Sequence, residues 1–251
     1  MNAIETIMAH RSIRKYKSDP ISDNILDEIL VAASRAGTTG NMQVYSIVVT
    51  RDQQVKDALL PLHFGQEMIS KAPAVLTFCA DFNRFNKWCD QRNAGPGYDN
   101  FLSFMTASID ALLASQNAVI AAEANGLGTC YLGTTTYTAG KIIEVLNLPK
   151  GVVPITTVVL GYPDENPGLT DRLPMRAIVH HEKYSDFSKE DIELLYAEKE
   201  NMEVYKGFVK ESEVENLAQV FTQKRYTKKD NVLFSKTLLD VLTQQGFMNN
   251  E

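Results

Sequence analysis

His10-Arg11-Ser12-Ile13-Arg14-Lys15-Tyr16 packs four cationic or potentially cationic side chains and a hydroxyl donor into seven residues. In a chain of net charge −6, that is a local site for a small anion, because guanidinium groups grip phosphate or carboxylate with two parallel hydrogen bonds. A second reading stays open: basic residues also collect where a helix ends, at its partially negative C-terminus. Residues 37–43, Gly-Thr-Thr-Gly-Asn-Met-Gln, hold hydroxyls and amides on Thr38, Thr39, Asn41 and Gln43, and glycines that let backbone approach a ligand closely. They read equally as a helix C-cap and loop. Gln66, just after Phe64-Gly65, is either an amide donor or an exposed glutamine.

The elements that must position these groups follow from apolar spacing. Asn2 with Glu5 three residues later predicts a capped helix whose stripe is Ile4, Ile7 and Met8. Ser22 or Asp23 caps a second helix carrying Ile25, Leu26, Ile29, Leu30 and Ala33 on one face. Strands are predicted at 45–50, 75–80, 129–132, 154–161 and 177–180, and shorter helices at 52–60, 67–71 and 139–146. Residues 81–100 read as an irregular excursion, and 162–174 as a loop punctuated by proline and glycine. Residues 104–125 are the longest helical candidate, apolar or small on most faces, so that helix must be buried on more than one side. A subunit interface and the core of a monomer both satisfy that requirement. Strands alternating with uneven helices give an α/β (α+β) fold with a mixed, mainly antiparallel central sheet flanked by helices. The composition shifts after residue 184, which divides the chain into a core of 1–184 and a helical C-terminal extension of 185–251 packing on the core or on a partner.

Composition narrows the function. Hydrophobic residues make up 44% and charged residues 22%, ordinary for a globular chain. The acidic balance argues against nucleic acid or an anionic membrane as partner, since both demand a broad basic face. Cys79, Cys89 and Cys130 form no C-x-x-C pair, so a disulfide framework or zinc ribbon is not expected and a reducing, cytoplasmic location is. His180-His181-Glu182 lacks the spacing of a helical metal pair, and no nucleophile elbow, Walker loop or complete dinucleotide fingerprint occurs. No metal site is expected.

His10-Arg11-Ser12-Ile13-Arg14 resembles the N-terminal signature of the FMN-dependent nitroreductase family. The likeness continues through the small polar loop at 37–43, Phe78-Cys79-Ala80-Asp81-Phe82-Asn83-Arg84, Gly126-Leu127-Gly128-Thr129-Cys130-Tyr131-Leu132-Gly133, and Gly161-Tyr162-Pro163 through Arg172-Leu173-Pro174. It is nearest the larger, NADPH-preferring, oxygen-insensitive branch. The resemblance implies a homodimer with FMN at the subunit interface, passing hydride from NADPH or NADH through flavin N5 to a nitroaromatic, quinone or similar small aromatic acceptor in a ping-pong cycle, with no protein residue as catalytic acid or nucleophile. A dehalogenase of the same fold and a flavin-binding regulatory module without turnover are the alternatives.

By the same resemblance His10, Arg11, Ser12 and Arg172 hold the FMN phosphate. Arg14 and Gln66 meet the pyrimidine edge; Tyr131, Leu132 and Gly133 run along the flavin plane; Thr38, Thr39, Asn41 and Gln43 contact the ribityl chain or ring. Lys224 and Arg225 stand where relatives meet the 2′-phosphate of NADPH. Three departures are visible: Thr170 in place of a lysine, Thr129-Cys130 in place of a glycine and a β-branched residue, and Ser235 in place of a second arginine.

Overall fold

The computed structural model describes residues 2–249. Four strands, β1 (Tyr45–Thr50), β2 (Ala74–Asp81), β3 (Gly128–Leu132) and β4 (Val152–Gly161), form one sheet in the order β1-β2-β4-β3, each pair antiparallel. The expected mixed, mainly antiparallel character comes down to one parallel bridge, between Ser12 and Thr129 on the β3 edge. β2 and β4 are the central pair, and their nearly unbroken apolar runs are what strands covered on both faces require. The ladder slips between Phe78 and Cys79, beside Pro154, which has no N–H to donate.

Helices α1 (Ala3–Met8), α2 (Asp23–Ser34), α3 (Gln53–Leu59), α4 (Met68–Lys71), α5 (Asn83–Asp90), α6 (Phe101–Ala124) and α7 (Ala139–Val145) surround the sheet. Their starts follow the capping logic: Asn2 and Glu5 close a capping box, and Ser22, Asp52 and Asn100 each accept an N–H in the first turn. α2 and α6 cover one face, where Leu26, Ile29, Leu76, Phe78, Val119 and Leu160 pack together. On the other face Leu59, Ile69, Val75, Ile142 and Val159 pack beneath α3, α4 and α7.

α6 organises the arrangement. Ala107, Ala111, Ala114, Ala118 and Ala122 recur at helical spacing and are buried, their small side chains letting the helix lie close to its neighbours. The opposite stripe of Leu102, Met105, Ile109, Leu112 and Leu113 is exposed. α6 is long and apolar enough to cross a membrane by length and composition, but half of that apolar window is buried inside this fold.

Two expectations are corrected. Residues 81–100 are not irregular throughout: α5 places Phe85 and Trp88 edge-on in a cluster with Phe82 and Tyr98. Residues 177–180 form no strand; Met175–Ala177 is a 3-10 turn, Val179 N donates back to Met175 O at 2.8 Å, and Ile178 is exposed.

The chain separates into two compact units, one running to Gly168 and resuming at Phe234, the other spanning Leu169–Leu233. The sequence boundary at 184/185 therefore lies inside the second unit. That unit contains α8 (Lys189–Asn201), α9 (Glu203–Glu211), α10 (Leu217–Gln219) and a π-helical turn, Val220–Arg225. Within it Lys199 Nζ meets Asp171 Oδ2 at 2.7 Å and Tyr205 Oη at 2.8 Å. Of the last helix, α11 (Lys228–Gln245), the part from Phe234 on belongs to the first unit, where Leu242 and Phe247 are buried with Phe104.

Candidate active site

The basic segment is threaded along the free edge of the sheet. Ile13 N donates to Thr129 O, Lys17 N to Tyr162 O and Asp164 N to Lys15 O, all at 2.9 Å. Segments from three distant parts of the sequence thus meet beside β3. Two glycines make the seat: Gly128 and Gly161 are register partners, and a Cβ on Gly128 would lie 2.6 Å from Ile13 Cγ1, while one on Gly161 would strike Pro73 and Tyr16. Ile13 and Tyr16 are buried there, which leaves Arg14 and Lys15 outside.

Each predicted anion ligand has a definite partner or none. His10 Nδ1 lies 2.7 Å from Glu123 Oε1, the same oxygen that accepts from Thr129 Oγ1 at 2.7 Å. Arg11 Nη1 donates to Asn166 Oδ1 at 2.8 Å and Pro167 O at 3.1 Å. Glu165 Oε1 accepts the backbone N–H groups of Arg14 and Lys15 at 2.5 and 3.1 Å. Among the described residues no hydrogen bond or ion pair engages the Arg14 or Lys15 side chain, so two cations face outward without a counter-ion.

Burial raises the Cys130 thiol above its ordinary pKa, a shift that Arg14 and a hydrogen bond with Ser12 partly oppose. Cys130 is a neutral core thiol, and the Thr129-Cys130 departure leaves the strand intact. Tyr131 turns its hydroxyl to Ser115 on α6 at 3.0 Å, and Leu132 is buried on the other face. Among residues 131–133, Gly133 alone is exposed, with open space where a side chain would stand.

Gln66 belongs to the same end. His63 Nδ1 meets Thr134 Oγ1 at 2.8 Å and Thr138 Oγ1 donates to Leu62 O at 2.7 Å, tying the 60–66 turn to the turn after β3. Gln66 Nε2 donates to His63 O at 3.0 Å.

Thr38, Thr39, Asn41 and Gln43 sit elsewhere. Their loop is held by Asp110, fully buried in α6, whose carboxylate accepts from Thr39 N at 2.9 Å and Val44 N at 3.3 Å. Gly40, Asn41 and Gln43 all have positive φ, and Arg84 donates to Gln43 O. Along α6, positions 110 and 123 are about 20 Å apart, so one protomer keeps this loop, near the middle of the helix, apart from the basic segment at its C-terminal end.

The remaining predicted ligands lie in the second unit. Arg172 Nη1 donates to Thr170 Oγ1 and Asp171 O, each at 2.9 Å, so the threonine that replaces a lysine orients the guanidinium. Arg225 stacks over the Phe208 ring, 4.2 Å from its centre, and Lys224 is exposed. A concavity of about 560 Å³ in this unit, lined by Arg176, His180 and Phe187, contains none of the predicted residues.

A family model described as Nitroreductase matches residues 7–162, which takes in the basic segment, the 38–43 loop, Gln66 and all four strands. The chain belongs to the Nitroreductase family. It is 35% identical to an oxygen-insensitive NADPH nitroreductase of Salmonella typhimurium over 72% of its own length and 74% of that protein's. It is 34% identical to an NADPH-flavin oxidoreductase of Vibrio harveyi, covering 76% and 78%. A crystal structure of a Bacteroides fragilis chain, described only as a candidate oxidoreductase, is 52% identical with a TM-score of 0.96 over 98% of this chain and 100% of that one.

Within this nitroreductase fold, Asp110, Glu123 and Glu165 are the residues that sequence reading missed. Two are lone acids in a long apolar helix, a signal in hindsight, because a buried carboxylate persists only where N–H groups or a cation receive it.

Proposed function

We propose that the chain is an FMN-dependent oxidoreductase, drawing hydride from NADPH or NADH and delivering it to a nitroaromatic, quinone or similar small aromatic acceptor. The names of its relatives support the flavin and the nucleotide. The observation that carries the reading is the β3 edge: Arg14 and Lys15 unpaired where the basic segment joins the start of the strand, and open backbone at Gly133 just past its other end. That edge fits FMN, whose anionic tail needs cations and whose flat ring needs backbone without a side chain in front. FMN, when bound, supplies hydride acceptance and donation at N5.

The chain's own residues bind and orient. We assign His10, Arg11 and Ser12 to the phosphate end; partly buried charge-assisted bonds of this kind contribute about 1.5–3 kcal/mol each. Arg14 and Gln66 are assigned to the pyrimidine edge, and Gly133 with the backbone of Tyr131 and Leu132 to the ring face. Lys224 and Arg225 are assigned to the nucleotide, with no metal and no protein acid required. The loop of Thr38, Thr39, Asn41 and Gln43 serves a second copy: the exposed α6 stripe suits an isologous dimer, which brings the loop of one protomer to the basic segment of its partner. Three free, buried cysteines accord with a cytoplasmic protein.

The test is the absorption spectrum of the purified protein before and after anaerobic NADPH or NADH. Bound flavin that bleaches with the nucleotide and regains colour with a quinone, together with parallel initial-rate lines, is the expected result; protein that stays colourless after incubation with FMN contradicts it.

A further inference from the structure

Phe64, Tyr137 and Phe234 form a wall of three rings in the first unit. Tyr137 and Phe234 stack almost parallel, 4.3 Å apart at 5°, and Phe64 leans on both at 6.2 and 6.1 Å with tilts near 30°. Phe64 is 57% exposed, unusual for a large apolar ring. It also holds a left-handed backbone, φ 56 and ψ 33, which a residue with a Cβ adopts at a cost glycine avoids.

That conformation is imposed by its surroundings. The Phe64 and Gly65 N–H groups close on Pro61 O and Leu60 O, and the whole turn is pinned through Thr134 and Thr138. A costly backbone fixed on both sides, presenting an exposed ring, marks a position kept for contact. Its location names the contact: Gln66 lies two residues on, and Tyr137 closes the turn that begins at Gly133. The wall therefore adjoins the edge assigned to the flavin.

We propose that Phe64, backed by Tyr137 and Phe234, is a stacking platform for a planar aromatic ring that exchanges electrons with the enzyme, and that it sets the preference for ring-shaped substrates. This rests on the reading of the chain as a flavoenzyme. An offset or tilted approach to Phe64 suits an electron-poor ring, because the aromatic face is the negative part of its quadrupole. The acceptor's ring meets that description, as does the oxidised, pyridinium form of the nucleotide's nicotinamide, and the test separates them.

The experiment titrates the oxidised holoenzyme with two probes that cannot be turned over in the absence of a reductant, 4-nitrobenzoate and nicotinamide, by isothermal calorimetry. Phe64→Asn removes the ring while suiting the left-handed backbone; Phe64→Tyr keeps the ring. Flavin content and melting temperature are read on the same samples. The platform predicts at least fivefold weaker binding of one probe to Phe64→Asn, affinity retained in Phe64→Tyr, and no loss of melting temperature. Weakening of 4-nitrobenzoate identifies the acceptor's ring, and weakening of nicotinamide the nucleotide's. Equal affinities for both probes across all three proteins, or weakening that follows a fallen melting temperature, overturn the platform. Absence of flavin from the wild-type sample contradicts the functional reading instead.

Discussion

The middle of α6 and its C-terminal end do the same job by different means. In the middle Asp110, wholly buried, accepts two backbone N–H groups and fixes the 38–44 loop as a shape. At the C-terminal end, Glu123 is partly exposed and accepts from two side chains, His10 and Thr129, while the segment itself is seated on glycines. The first is a rigid wall whose position is set by backbone. The second leaves cations free to meet a ligand, and only its anchors are fixed.

Closing the glycine seat should produce the largest effect. Gly128→Val drives a branched side chain into Ile13, with overpacking of about 3 kcal/mol. FMN affinity should collapse along with the urea midpoint, whereas Gly133→Ala, which meets open space, should leave the midpoint unchanged.

Almost as large is an acid sensitivity centred on the 60–66 turn. Burial lowers the pKa of His63 from 6.5 to about 4, so the folded chain keeps the ring neutral while the unfolded chain takes up a proton. The stabilisation is complete above pH 6.5 and is lost as pH falls toward 4, by about 3 kcal/mol at the bottom of that window. His63→Gln should flatten this limb in urea melts run at pH 7 and pH 4.5.

Asp110→Ala strips two N–H groups of their acceptor, and should cost about 2 kcal/mol and loosen the 38–44 loop, seen as faster amide exchange there with protection retained at residues 12–17. Glu123→Gln keeps an acceptor oxygen for Thr129 and removes the charge beside His10. It should cost about 1 kcal/mol and raise the FMN dissociation constant several-fold, without changing exchange in the loop.

What the sequence showed plainly was whatever depends on neighbours in the chain. Asn2 and Ser22 cap helices as their spacing indicates, and the alternation of apolar runs located all four strands. The basic segment was visible because its charges are contiguous. Its anchors were not, since Glu123 and Glu165 reach it only after β3 and β4 pair. α5 was obscured by its polar composition: Phe85, Trp88 and Cys89 are three apolar side chains among charged and amide neighbours. Ile178-Val179 misled in the opposite sense, because β-branched residues favour a strand only where a sheet edge receives them.

The central claim is that each flavin site takes the basic segment from one copy and the 38–43 loop from another. The direct test is to co-express Arg14→Glu and Thr38→Glu chains under different affinity tags, purify the heterodimer and measure its flavin content. Neither homodimer should hold FMN, and the heterodimer should hold one, since one of its two sites then combines an unaltered segment with an unaltered loop. A heterodimer as empty as the two homodimers would contradict the account.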